Sequence, residues 1–140
     1  MRILLADRQD ITRMGLVHII QQMNVGDKEE MPGIEWKYVE DKAELMLALK
    51  DDDDAVVVLD YTLFDINDAD ELLILHQRFT HTRWLLFSED LSVDFVRVLI
   101  ASSTQFSILT KDSQLSEIKA AILYCVQGNR FICQDRKSVV

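Results

Sequence analysis

Ala55-Val56-Val57-Val58-Leu59-Asp60-Tyr61-Thr62 is the stretch whose reading decides the fold. Val56 to Leu59 is a continuous apolar run of β-formers rather than an alternating one. Such a run predicts a strand buried on both faces, as at the centre of a parallel sheet. The four aspartates before it, Asp51 to Asp54, read as a solvated turn. The run stops at Asp60, which puts a carboxylate at the carboxyl end of a central strand. In open α/β sheets that edge is where ligands and chemistry gather. Asp60 is therefore the candidate functional centre.

Working outward, Ile3 to Ala6 is a second buried strand, ending at Asp7. The segment from Asp10 to Met23 predicts an amphipathic helix with Ile11, Met14, Val17 and Ile20 towards the sheet. Asn24 to Gly33 is polar and holds the chain's only proline, so it reads as a loop. Ile34 to Val39 alternates enough for a strand near an edge. Asp41 caps the next helix, with Glu44 three residues on as in a capping box, and Leu45, Leu47, Ala48 and Leu49 form its stripe. Beyond Asp60, a helix from Ala69 to Phe79 contributes Leu72, Leu73, Leu75 and Phe79. A strand from Thr82 to Phe87 ends at Ser88. Ser92 caps a helix through Val93, Val96, Leu99 and Ile100. A short strand from Ser107 to Thr110 ends at Lys111. Ser113 caps the last helix, with Leu115, Ile118, Ala121, Ile122 and Val126 inward, and Gly128-Asn129 closes it.

Strands and helices alternate five times, with no internal repeat. That alternation predicts a doubly wound parallel five-stranded sheet with helices on both faces, and the flavodoxin-like (βα)5 arrangement is its common form. A length of 140 residues suits one domain with a substantial core. A net charge of -9 disfavours direct binding of nucleic acid, because a phosphate backbone is held by clustered Lys and Arg. No apolar run is long enough to span a membrane, and the N-terminal run is too short for a signal peptide, so a cytoplasmic location is expected. Cys125 and Cys133 have neither metal-ligand spacing nor a partner motif and read as structural or incidental thiols. His18, His76 and His81 are too scattered to form a site.

Four strands thus end in polar residues: Asp7, Asp60, Ser88 and Lys111. In a parallel sheet these endings share one edge. A carboxylate there can act as a nucleophile and form an acyl phosphate. Acidic groups holding a divalent metal, together with a Lys ammonium, can neutralise the transferring group, and a hydroxyl can bond a phosphoryl oxygen.

Leu4-Leu5-Ala6-Asp7, Val57-Val58-Leu59-Asp60, Phe87-Ser88 and Leu109-Thr110-Lys111-Asp112 together resemble the receiver domain of bacterial two-component response regulators. The end of the chain, with Ala120-Ala121-Ile122 and Gly128 to Cys133, is similar to the receiver end of LuxR/NarL-type regulators. The resemblance covers residues 2 to 133. It implies a receiver domain over residues 1–128 and, from 129 to 140, the start of a linker to a C-terminal helix-turn-helix domain. It implies a phosphorylation-dependent signalling switch rather than an enzyme. Asp60 would be the phospho-acceptor, with a sensor histidine kinase as donor and Lys111 and Ser88 as assisting groups. Mg2+ would be held by Asp7, Asp60 and the Thr62 backbone carbonyl. Ser88 and Ile108 would be switch positions, a homodimer would be a possible output, and DNA would be contacted only through the separate domain.

The chain departs from this pattern in three places. Arg8 stands where the family has a second acid, the direct metal ligand. It is either an incidental surface residue or a cation that pairs with Asp60 in the metal's place. Leu63-Phe64 replaces a usual Met-Pro, and Ile108 replaces the switch aromatic. These departures support an alternative, an atypical receiver working as a phosphorylation-independent interaction module. A second likeness, to the Asp-Gly-Thr-Leu loop of haloacid-dehalogenase-type phosphatases, fails chemically. The position of its nucleophile is Val58, which cannot attack phosphorus.

Overall fold

The computed structural model describes residues 1–26, 34–62, 64–66 and 68–132. The expectations for Leu63, Asn67, Cys133, most of the Asn24–Gly33 loop and residues 133–140 lie outside these. Five strands, β1 (Arg2–Ala6), β2 (Glu35–Tyr38), β3 (Ala55–Leu59), β4 (Arg83–Ser88) and β5 (Phe106–Thr110), alternate with five helices. The helices are α1 (Asp10–Gly26), α2 (Lys42–Asp51), α3 (Ala69–Arg78), α4 (Val93–Ser102) and α5 (Leu115–Val126). The strands form one parallel sheet in the order β2-β1-β3-β4-β5, a flavodoxin-like (βα)5 fold with β3 at its centre. No helix among the described residues is long and apolar enough to cross a membrane.

The alternation of side chains along each strand divides the core in two. Leu4, Val57, Leu59, Trp84 and Leu86 face one way and meet Leu45, Leu49, Leu72, Leu75 and Leu99 of α2, α3 and α4. Ile3, Leu5, Val56, Val58 and Leu85 face the other way and meet Leu16, Ile19 and Ile20 of α1 and Ala121 and Ile122 of α5. Every residue of β3 is buried, as a strand covered on both faces requires. β2, the edge strand, is largely exposed.

Helix starts follow side-chain chemistry. Asp41 accepts from the Glu44 amide, Asp68 from the Glu71 amide and Ser92 from the Phe95 amide, each satisfying an otherwise orphaned first-turn N–H. Ser113 does not cap α5. The N-cap is Gln114, without a side-chain bond, and the Ser113 hydroxyl lies 3.2 Å from Thr110 Oγ1 instead. Gly128 ends the last helical turn at φ 85, a conformation that favours glycine.

The inward face of α1 differs from the expected one. Leu16, Ile19, Ile20 and Met23 are buried, whereas Ile11 and Met14 are 85% and 69% exposed. Leu47 of α2 and Leu115 of α5 also point outward, and Phe95 rather than Val93 carries the start of the α4 stripe. Residues 130–132, expected as the beginning of a linker, lie against β5, where Ile132 forms a parallel bridge with Ile108.

Candidate functional site

Strand register builds the site before any side chain does. β1 and β3 pair Ala6 opposite Leu59, so Asp7 and Asp60, each one residue beyond, are neighbours. β4 and β5 pair Ser88 opposite Thr110, which brings Lys111 beside them. The amides hold this alignment past the strand ends. Asp60 N–H donates to the Ala6 carbonyl at 3.2 Å and Lys111 N–H to the Ser88 carbonyl at 3.0 Å.

All four strand-end residues therefore converge, and Asp7, Asp60 and Ser88 are buried. Lys111 Nζ sits 2.7 Å from Asp60 Oδ2 and 3.0 Å from Asp7 Oδ2. It also donates to Gln9 Oε1 at 2.8 Å. The contact with Asp7 Oδ2 is an ion pair outside hydrogen-bond geometry. Asp7 Oδ1 accepts from the Gln9 amide at 2.8 Å. Asp60 Oδ1 accepts three bonds, from Ser88 Oγ at 2.7 Å, Thr62 Oγ1 at 2.6 Å and the Thr62 amide at 3.0 Å.

These contacts fix the ionisation of the pair. Burial pushes the Asp60 carboxyl up, but the bonds from Lys111, Thr62 and Ser88 and the Lys111 charge outweigh it. Asp60 is held below the ordinary carboxylate value. Burial pulls Lys111 down, and the bond to Asp60 and the charges of Asp60 and Asp7 more than reverse that. Asp60 is thus an anion and Lys111 a cation at neutral pH. An ionised carboxylate with an adjacent ammonium and a hydroxyl donor is equipped to attack an electrophilic phosphorus and to hold the phosphoryl oxygens afterwards.

Receiver chemistry implies Mg2+, a hard cation that takes oxygen ligands and is commonly held by one or two carboxylates while keeping several waters. Asp7 Oδ2 is buried and is engaged only by the Lys111 charge, so it retains coordinating capacity. Asp7 Oδ2 fits as one ligand of such a lightly held ion, whereas both Asp60 oxygens already face donors of the chain itself. Arg8 adds no oxygen. Among the described residues, no group of three or more His, Cys, Asp or Glu side chains is placed to hold a metal.

Arg8 does not pair with Asp60. Its Nε donates to the Glu40 carbonyl at 3.2 Å, and its guanidinium lies 5.8 Å from the Phe64 ring centroid. The carboxylate is already taken by Lys111, which enters from the end of β5, one strand beyond β4. Ile108 is buried in the core on α4's side of the sheet.

Two participants were not anticipated. Gln9 holds Lys111 from the β1–α1 connection. Tyr61, the residue after Asp60, stacks on Phe95 with centroids 4.0 Å apart and planes 9° from parallel. Its hydroxyl accepts from the Ser92 amide at 2.8 Å and donates to the Asp90 carbonyl at 3.2 Å. The adjacency of Tyr61 to Asp60 was visible in the sequence, but the direction of its ring was not.

The whole architecture has counterparts among solved structures. A LuxR-family two-component response regulator from Aurantimonas sp. SI85-9A1 aligns with a TM-score of 0.70 and 25% identity, over 96% of this chain and 90% of that one. The signal receiver domain of the response regulator NarL from Mycobacterium tuberculosis aligns at 0.69 and 23%, over 91% and 97% of the two chains. A response regulator from Thermotoga maritima aligns at 0.70 and 11%, over 90% and 97%. No family model matches the sequence, and no curated protein sequence matches it. With its strand order, its edge of converging strand ends and these counterparts, the chain has the receiver-domain fold of two-component response regulators.

Proposed function

We propose that the chain is a phosphorylation switch in which Asp60 accepts a phosphoryl group from a sensor histidine kinase. The observation that carries this reading is the Asp60 carboxylate, buried and ionised, with Lys111 on one oxygen and Ser88 and Thr62 on the other. An Asp60 oxygen attacks phosphorus, the bond from phosphorus to the donor nitrogen breaks, and the imidazole leaves with the electron pair. Lys111 then faces the phosphoryl oxygens, and Ser88 exchanges its bond to the carboxylate for one to the phosphoryl group. Mg2+, when bound through Asp7, Asp60 and the Thr62 carbonyl, supplies charge neutralisation. The chain itself is a switch and not an enzyme. It serves in the cytoplasm as the receiver of a LuxR/NarL-type transcriptional regulator that contacts DNA only through a separate domain. Val98 and Tyr124, both exposed, would contribute to a homodimer face across α4, β5 and α5.

Incubation with a small phosphodonor, with and without Mg2+, followed by intact mass measurement tests the reading. One added phosphoryl group is expected, and none on Asp60→Asn. The lack of any gain in the unaltered chain would leave the second reading, a phosphorylation-independent interaction module. That reading is favoured by Arg8, whose side chain supplies no metal ligand and turns towards Glu40 and Phe64.

A further inference from the structure

α4 is tied at both ends to residues outside itself. At its N-terminus the Tyr61 hydroxyl bridges Asp90 and Ser92, and the Tyr61 ring stacks on Phe95. At its C-terminus Arg130 Nη2 donates to the carbonyls of Ile100 and Ser103, both at 2.8 Å, and Nε donates to the Phe106 carbonyl at 3.3 Å. The last carbonyls of a helix lack intrahelical partners, so this guanidinium completes the helix end.

The residues after Arg130 are held by β5. The Phe131 amide donates to Ser107 Oγ at 2.9 Å, and the Phe131 carbonyl accepts from the Ile108 amide at 2.9 Å. The Phe131 ring meets Tyr124 edge-on at 5.6 Å. Residues 130–132 thus form the stub of a sixth strand on the outer edge of β5, and the Arg130 side chain joins that stub to α4.

We propose that α4 is a rod clamped by Tyr61 at the acceptor end and by Arg130 at the exit end, so that charge on Asp60 is reported as release of residues 130–132 from β5. The proposal rests on the reading of Asp60 as a phosphoryl acceptor. Ser88 Oγ now bonds Asp60 Oδ1 and would follow the added phosphoryl oxygens. Ser88 begins the connection that Tyr61 brackets, so its movement reaches Ser92 and the first turn of α4. A planar guanidinium holds its acceptors in a fixed fork. Displacement of Ile100 and Ser103 therefore breaks the Arg130 contacts as a set, and the stub loses its tie to α4. Both sites then bias one two-state element, which is the physical requirement for coupling.

Hydrogen exchange measured by mass spectrometry on the 140-residue chain, before and after an acyl-phosphate donor with Mg2+, tests this. Intact mass is followed in parallel. On phosphorylation the Ile108 and Phe131 amides are expected to exchange about tenfold faster, as for local opening of an edge segment. Arg130→Ala should show that fast exchange without donor while still gaining the phosphoryl group. Tyr61→Phe, which keeps the stack and loses both hydroxyl bonds, should gain the phosphoryl group without the acceleration. A mass gain with unchanged exchange in the unaltered chain overturns the clamp and leaves the acceptor reading standing. The absence of a mass gain overturns the acceptor reading and the phosphoryl trigger with it. Independently of phosphorylation, strictly additive effects of Tyr61→Phe and Arg130→Ala on Ile108 protection overturn the rod itself.

Discussion

Removing the Lys111 ammonium would leave the Asp7 and Asp60 carboxylates buried side by side without a counter-charge. Breaking one side of a buried ion pair costs more than the pair is worth, because the orphaned charge keeps its desolvation penalty. Lys111→Met is therefore expected to lower the unfolding free energy at neutral pH by about 3 kcal/mol, read from urea denaturation. The deficit should shrink at acid pH, because without Lys111 the buried Asp60 carboxyl loses the contact that holds it ionised and takes up a proton more readily. A deficit of equal size at both pH values would trace the effect to packing instead. Arg8 follows Asp7 directly, but its guanidinium turns to the Glu40 carbonyl and its side chain offers no oxygen to the site. Arg8→Asp adds a hard ligand at that position, so Mg2+ affinity by calorimetric titration should rise about tenfold, or about 1.4 kcal/mol. An unchanged affinity would mean that position 8 does not face the ion.

The elements divide sharply in how far the sequence revealed them. Strands β1, β3 and β4 were legible because each is buried on both faces, so existence and burial follow from one continuous apolar run. Helices demanded a choice of face, and α1 shows why that choice fails. Ile11, Met14, Val17 and Ile20 make one helical stripe, and Leu16, Ile19, Ile20 and Met23 make another that shares Ile20 with it; periodicity ranks them almost equally. The direction in which the chain leaves β1 through Asp7 and Gln9 decides between them, and that is a tertiary fact. The correction is measurable. Ile11→Lys and Met14→Lys should change stability by less than about 0.5 kcal/mol, as exposed substitutions do. Ile20→Ala, at a fully buried position, should cost about 2 to 4 kcal/mol. Comparable losses at residues 11 and 20 would reinstate the expected face.

At the scale of the whole molecule, the site was legible for a topological reason. A parallel sheet gathers every carboxyl strand end on one edge, so Asp7, Asp60, Ser88 and Lys111 converge without any contact being known. Contacts made by single side chains across the fold, such as Tyr61 to Ser92 and Arg130 to Ile100, leave no periodic trace and were not legible. The same distinction separates two titrating groups in their effect on stability. Asp60, held below the ordinary value of 3.8, contributes its stability throughout the range above that value and loses it as pH falls through its folded value. His76 lies on α3 with its ring 5.1 Å from Phe106 and a buried Nδ1 without a hydrogen-bond partner. Burial pushes its pKa below the ordinary 6.5. Above 6.5 the imidazole is neutral in both states and adds no slope. As the pH falls below 6.5 the unfolded chain takes up a proton that the folded chain refuses, so stability declines until the folded value is passed. Urea unfolding between neutral pH and about pH 5 should show this decline in the unaltered protein. His76→Leu keeps apolar contact with Phe106 and removes the proton, so its curve should be flatter over that interval by the His76 contribution. His18 and His81 are exposed and are the same in both proteins, so the difference between the curves isolates position 76. Parallel curves would show that His76 meets water in the folded state.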